Sequence, residues 1–210
     1  MPPQFAYIHR FEPGHDPSLP PVLLLHGTGG DETDLLPLGR MVAPGAALLS
    51  PRGNVLEGSA PRFFKRYREG VFDEDDVRHR AGELSHFVAE ARRAYRIHAP
   101  VALGYSNGAN IAAAVLLLHP QTLAGAILLR ATTPLAEPPR PDLSGLPVMI
   151  LSGLKDPVIP RSGAEKLALA LGAAGARVER VELPAGHDLT QADVARTKDF
   201  YAQAAIGPGR

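Results

Sequence analysis

Cysteine is missing from all 210 residues. Its absence excludes a disulfide framework, a thiolate metal site and a cysteine nucleophile. Charge of one sign is not in excess either. Lys plus Arg and Asp plus Glu number 22 each, so nothing in the overall balance draws the chain to phosphate backbones or anionic membranes. Nucleic acid is therefore not an expected partner. Long apolar runs are also lacking: Met1 to Phe11 has no uninterrupted apolar core of signal-peptide length, and no later run approaches a bilayer span. A soluble, cytoplasmic protein without a membrane anchor is the expectation. The sequence carries no internal repeat, no low-complexity tract and no HExxH.

What remains has the balance of a folded domain, with 45% apolar and 21% charged residues, far from the composition of disordered chains. The length suits one α/β domain, Met1 to Arg210, and is short for two. Apolar runs lie at Pro21 to His26, Ala46 to Ser50, Pro100 to Tyr105, Gly125 to Arg130, Pro147 to Gly153 and Arg177 to Leu183. The first five are nearly continuous, as strands buried on both faces should be, and the last alternates as an edge strand does. Phe5 to Arg10 is a candidate outer antiparallel strand. Helical spacing marks Asp34 to Met41, Asp75 to Tyr95, Asn107 to Leu118, Ser162 to Leu171 and Ala192 to Ala204. The alternation predicts an α/β fold with a mainly parallel central sheet, helices on both faces and no large lid. Prolines 134, 138, 139 and 141 make Thr132 to Leu146 a loop, and the tail Gly207 to Arg210 is expected to fray.

Gly104-Tyr105-Ser106-Asn107-Gly108 stands directly after the strand VALGY and directly before the helix NIAAAVLLL. That strand, turn and helix context is what the G-x-S-x-G motif requires, with Ser106 as nucleophile and Gly104 and Gly108 removing side chains that would collide. The bare alternative is a tight turn whose serine only caps a helix. His26-Gly27-Thr28-Gly29-Gly30 closes the first strong strand, and it places the backbone N–H of Thr28 beside that of Asn107 as an oxyanion pair. It lacks the spacing of a phosphate loop. His26 is read as a brace for this loop, since the base of such a fold follows the serine in chain order.

Two later loops fit the remaining roles. Asp156 follows the strand PVMIL, and His187 follows the last strand in PAGHD. An imidazole must take the proton of Ser106 while a carboxylate holds its other nitrogen, so His187 is the candidate base and Asp156 the orienting acid. Asp188, read as a helix-starting acid, and Glu182 on the edge strand are the rivals. The other histidines, His9, His15, His79, His86, His98 and His119, form no ligand cluster, so no metal is expected. Phe63, Phe64 and Arg66 lie in a long connection of the kind that shapes pockets. The aromatics could grip a substrate or could equally be core.

These segments together resemble the small bacterial phospholipase/carboxylesterase group of α/β-hydrolases, related to acyl-protein thioesterases. The resemblance runs over almost the whole chain: LLLHGTGGDE, PRGN, RFF, GVFDEDD, GYSNGAN, SGLKDPVIP and GHDLT. It implies a serine esterase without cofactor, a small-molecule ester as substrate, the triad Ser106, Asp156 and His187, and oxyanion donors at Thr28 and Asn107. RFFKR, GVFDEDD and LLRATTPL are most similar to the hydroquinone-specific hydrolase branch. Asn107 stands where many relatives have Gln, and Thr28 where many have Leu or Phe. Dienelactone hydrolases share the fold but use cysteine at the elbow. The alternatives are an acyl-thioesterase or lysophospholipid hydrolase on the same scaffold, or a noncatalytic small-molecule-binding protein. A homodimer is left open.

Overall fold

In the computed structural model, which describes residues 5–206, the apolar runs become β2 (Val22–Leu25), β3 (Leu48–Pro51), β8 (Val101–Tyr105), β9 (Gly125–Leu129), β10 (Pro147–Gly153) and β11 (Arg177–Leu183). With β1 (His9–Glu12) they form a seven-stranded sheet in the order β1-β3-β2-β8-β9-β10-β11. All pairings are parallel except β1 with β3, where His9 faces Pro51 and Glu12 faces Leu48. The outer antiparallel strand thus exists but begins at His9, later than Phe5. The expected tail, residues 207–210, lies outside the described residues.

Near-continuous hydrophobicity of the inner strands has a simple cause: both faces are covered. Leu23, Leu25, Ala102, Leu128, Val148 and Ile150 point into one core, while Val22, Leu24, Leu103, Ile127, Leu129, Met149 and Leu151 point into the other. The first core is closed by α2 (Glu74–Tyr95), α3 (Asn107–Leu118) and α4 (Arg161–Ala173), and the second by α1 (Leu36–Val42) and α5 (Gln191–Ile206). Helix α3 lies between α2 and the sheet and is buried along almost its whole length, which is why its sequence carries no polar face. Helix α2 starts where the Asp73 carboxylate accepts the N–H of Asp76, and it ends at Arg96 in the left-handed region. Among the described residues no helix is long and apolar enough to cross a membrane.

Strand order fixes where a ligand can sit. The chain leaves β2 toward β3 on one side, and β8 then returns to pair with the other side of β2. Such a reversal opens a crevice beyond the carboxyl ends of the two strands. The loops ending there are HGTGG after β2 and the Ser106 turn after β8. The connection from β3 to α2 adds two hairpins, β4 (Val55–Glu57) with β5 (Ala60–Arg62) and β6 (Arg66–Arg68) with β7 (Val71–Phe72). The first is tied to the β2 loop by the N–H of Gly29 donating to Pro61 O at 2.9 Å.

Candidate active site

The turn after β8 is forced by the approach of α3 to the sheet. A Cβ on Gly104 would lie 2.6 Å from Gly108 O, and one on Gly108 would fall on Leu25 O. Only glycine leaves room for the helix to start there. Between them Ser106 takes φ 53° and ψ −114°, a conformation that L-residues adopt only under tertiary constraint. The constraint is visible: Ser106 N donates to Leu129 O at 2.9 Å, and Ser106 O accepts from Asn110 N at 3.0 Å. The serine is thereby set at the carboxyl end of β8, just ahead of the first turn of α3.

Two further loops meet it. Ser106 Oγ lies 3.1 Å from His187 Nε2, and His187 Nδ1 lies 2.9 Å from Asp156 Oδ2. Asp156 Oδ1 accepts the N–H groups of Val158 at 2.8 Å and Ile159 at 3.0 Å. Burial alone would raise this carboxyl, but the N–H of Ile159, the His187 imidazole and the N–H of Val158 outweigh it and hold it below the ordinary aspartate range. A carboxylate that stays charged beside Nδ1 keeps the proton on Nδ1, so Nε2 is left to accept the serine hydroxyl. The acid and base loops are also laced together, Leu154 N to Leu183 O at 2.8 Å and Lys155 N to Ala185 O at 2.9 Å. Rival acids are engaged elsewhere. Glu182 pairs with Arg161 and Arg180 at the sheet edge. The helix-starting acid of α5 is Asp193 rather than Asp188, because its Oδ2 accepts the N–H of Thr190 at 2.7 Å.

Two main-chain N–H groups next to these turns are free of acceptors within their own elements. Asn107 N opens α3, where helical geometry leaves the first N–H groups without intrahelical acceptors, and Thr28 N has no acceptor among the described residues. The Thr28 loop is held from several sides. His26 Nδ1 lies 2.7 Å from Gly27 O while its Nε2 takes the N–H of Gly53 at 2.9 Å, which assigns the ring proton to Nδ1. Burial pushes this imidazole below its ordinary range, so it stays neutral as a brace. Arg62, 2% exposed, donates from Nη1 to Thr28 Oγ1 at 2.8 Å and from Nε to Phe64 O at 3.2 Å.

The substrate-contact expectation for Phe63 and Phe64 is corrected. Phe63 is 1% and Phe64 0% exposed; Phe63 packs on the His26 ring at 4.7 Å and Phe64 on Phe72 at 5.2 Å. Both are core beneath the loop, because the segment turns inward where Phe63 N donates to Asn107 Oδ1 at 2.8 Å. Arg66 is turned to Glu57 and Glu69. Sequence reasoning also passed over two residues that shape the site. Tyr105 donates its hydroxyl to His187 O at 3.2 Å, and Arg130 lies fully buried beneath the same loop. An arginine closing an otherwise apolar, doubly covered strand was the available signal, since such a charge must find a buried anion. Among the described residues no group of three or more His, Asp or Glu could hold a metal ion.

A strained serine at a strand-to-helix turn, an imidazole on the loop after the last strand and a charged carboxylate behind it, on a sheet of this order, define a serine hydrolase of the α/β-hydrolase fold. The chain belongs to the phospholipase/carboxylesterase family, whose model matches residues 8–204. It is 43% identical over 200 residues to the protein MhqD of Bacillus subtilis (strain 168), named as a hydrolase, covering 94% of this chain and 99% of that one. The crystal structure of a Bacillus cereus carboxylesterase is similar with a TM-score of 0.92 at 43% identity, covering 95% of each chain. A carboxylesterase from Mesorhizobium loti is similar with a TM-score of 0.84 at 33% identity, over 90% of this chain and 89% of that one.

Proposed function

We propose that this enzyme is a serine carboxylesterase that hydrolyses small to medium carboxylic esters through an acyl-enzyme. The observation that carries the reading is the continuous chain of contacts from Ser106 Oγ through both nitrogens of His187 to Asp156, at 3.1 and 2.9 Å. In this mechanism Ser106 Oγ attacks the ester carbonyl carbon as its proton passes to His187 Nε2. The carbonyl oxygen becomes an oxyanion held by the N–H groups of Thr28 and Asn107. Collapse expels the alcohol, which takes the proton from Nε2 and leaves Ser106 acylated. Water then repeats the sequence: its proton goes to Nε2, its oxygen to the acyl carbon, and the serine leaves with the proton while the acid is released. Asp156 remains a carboxylate throughout.

The connection from β3 to α2 supports the modest substrate size, since it is built from two short hairpins rather than a covering helix. Leaving groups are best resolved by a panel of aryl and alkyl esters with matched thioesters. A preference for aryl esters favours the hydroquinone-type branch suggested by the sequence, and a preference for thioesters would move the enzyme to the thioesterases. Ser106→Ala tests the chemistry itself. Turnover of p-nitrophenyl acetate should fall by at least about a thousandfold with circular dichroism unchanged, and a variant as active as the parent would refute the assignment.

A further inference from the structure

The fully buried guanidinium of Arg130 is not used by the mechanism above, and yet its contacts converge on the loop that carries His187. Arg130 immediately follows β9, and it holds φ 55° in the left-handed region, unusual for a residue with a Cβ. Its own N–H donates to Leu151 O on β10 at 2.9 Å. From there the side chain runs toward the loop after β11. Nε donates to Gly186 O at 2.9 Å and Nη2 to Asp188 O at 3.0 Å, the residues on either side of the imidazole. Nη1 donates to Leu151 O at 3.3 Å.

The charge is balanced by one carboxylate. Asp193 meets Nη1 at 2.7 Å and Nη2 at 3.0 Å, a two-pronged pair with both side chains out of water at 0% and 1% exposure. The same carboxylate takes the N–H and the hydroxyl of Thr190, each at 2.7 Å, and so fixes the start of α5 three residues beyond His187. With the Tyr105 hydroxyl on His187 O, three successive carbonyls, at residues 186, 187 and 188, are each held by a side chain from the end of an inner strand. A loop would ordinarily be the mobile part of such a site. Here it is fastened on both sides of the imidazole, while strain is retained at the arginine backbone, a combination found where geometry serves function.

We propose that Arg130 is the positioning residue of the catalytic base: paired with Asp193, it straps Gly186 O and Asp188 O so that His187 Nε2 stays within reach of Ser106 while Nδ1 faces Asp156. The proposal rests on His187 acting as the base. It separates two roles of one guanidinium. The pair with Asp193 supports the fold, and the bonds to the two carbonyls set the imidazole. A lysine at 130 can keep the former but cannot present N–H groups in the planar fork that reaches both carbonyls.

Arg130→Lys is the decisive variant, compared with wild type and Ser106→Ala by thermal melting, steady-state kinetics on p-nitrophenyl acetate and the downfield imidazole N–H proton resonance of His187. Because a lysine at a fully buried position leaves part of the donor set unreplaced, the neutral double variant Arg130→Met/Asp193→Asn is measured beside it; its asparagine Oδ1 can still receive Thr190 N. The expected result in either folded variant is a fall in kcat of tenfold or more with KM changed less than about threefold, since a displaced base misses the serine while the pocket still binds. The His187 N–H resonance should broaden or disappear. A folded variant with parental kcat and an unmoved resonance overturns the proposal, as does loss expressed wholly in KM. The resonance is read without turnover, so an inactive wild type, or a Ser106→Ala protein as active as wild type, would sink the esterase reading while the spectrum still decides what Arg130 does to His187.

Discussion

At the residue scale Ser106 is held in a strained backbone conformation, whereas Asp156 and His187 are set by hydrogen bonds. Asp156 holds His187 in one tautomer because three donors keep it charged. Asp156→Asn keeps the shape and reverses one hydrogen-bonding sense, so kcat should fall about 10³- to 10⁴-fold with KM little changed, as read by steady-state kinetics. Asn107 has two separable duties. Its main-chain N–H opens α3, and its Oδ1 anchors Phe63 N, while Nδ2 has no partner among the described residues. Asn107→Ala should therefore preserve the main-chain N–H proposed as an oxyanion donor yet destabilise the protein by about 1–3 kcal/mol, since Phe63 N is left buried without an acceptor; urea unfolding measures it. The convergence of Ser106, Asp156 and His187 was legible in the sequence because each sits in a short pattern at a strand end. Phe63 and Phe64 were not, because whether a loop aromatic turns inward depends on Asn107, more than forty positions away. Arg130 was harder still: its partners lie on β10, the loop after β11 and the first turn of α5.

At the scale of elements, the site exists because α3 touches the sheet. Gly108 lies against Leu25 O and His26 O, so the end of β2 and the serine turn are in contact through a glycine that accepts no side chain. Gly108→Ala should lower stability by about 1–3 kcal/mol and reduce kcat as well, because Asn107 N and Thr28 N would be pushed apart; melting and kinetics on the same preparation check both. Periodicity gave five helices close to their observed bounds, with α3 at Asn107–Leu118 as expected. It could not give β4 to β7, three residues long or shorter. Strands of that length carry too little alternation to be read, and the first hairpin is seated by contacts distant in sequence, such as Arg62 with Thr28.

For the molecule as a whole, α5 on one face of the sheet is joined to the His187 loop through the buried pair of Arg130 and Asp193, and this makes stability respond to acid. Burial raises the Asp193 carboxyl, but hydrogen bonds from Arg130 and Thr190 outweigh it and hold it below the ordinary aspartate value. A carboxyl depressed in the folded state stabilises it above the unfolded value of about 3.9, and that stabilisation fades as pH falls through the lower folded value. The urea midpoint should drop as pH is taken below about 4. In Asp193→Asn this acid-dependent part should shrink, while stability near neutral pH falls by about 3–5 kcal/mol because Arg130 loses its counter-charge. Equal acid slopes in the two proteins would contradict the assignment. The mainly parallel sheet and its burial on both faces were readable from the apolar runs; the strand order and the ionic ties between loops were not, because register and pairing, including that among 22 acids and 22 bases, are decided only by the fold.

In the proposed cycle one hydroxyl, made nucleophilic by a neighbouring imidazole, carries the acyl group. Reaction of the native enzyme with a fluorophosphonate, with the adduct mapped by peptide mass spectrometry, reads this out. A single adduct on the peptide containing Ser106, formed rapidly in wild type and at least about a hundredfold more slowly in His187→Ala, is the predicted result. Labelling at another residue, or unchanged labelling of Ser106 without the imidazole, would contradict it.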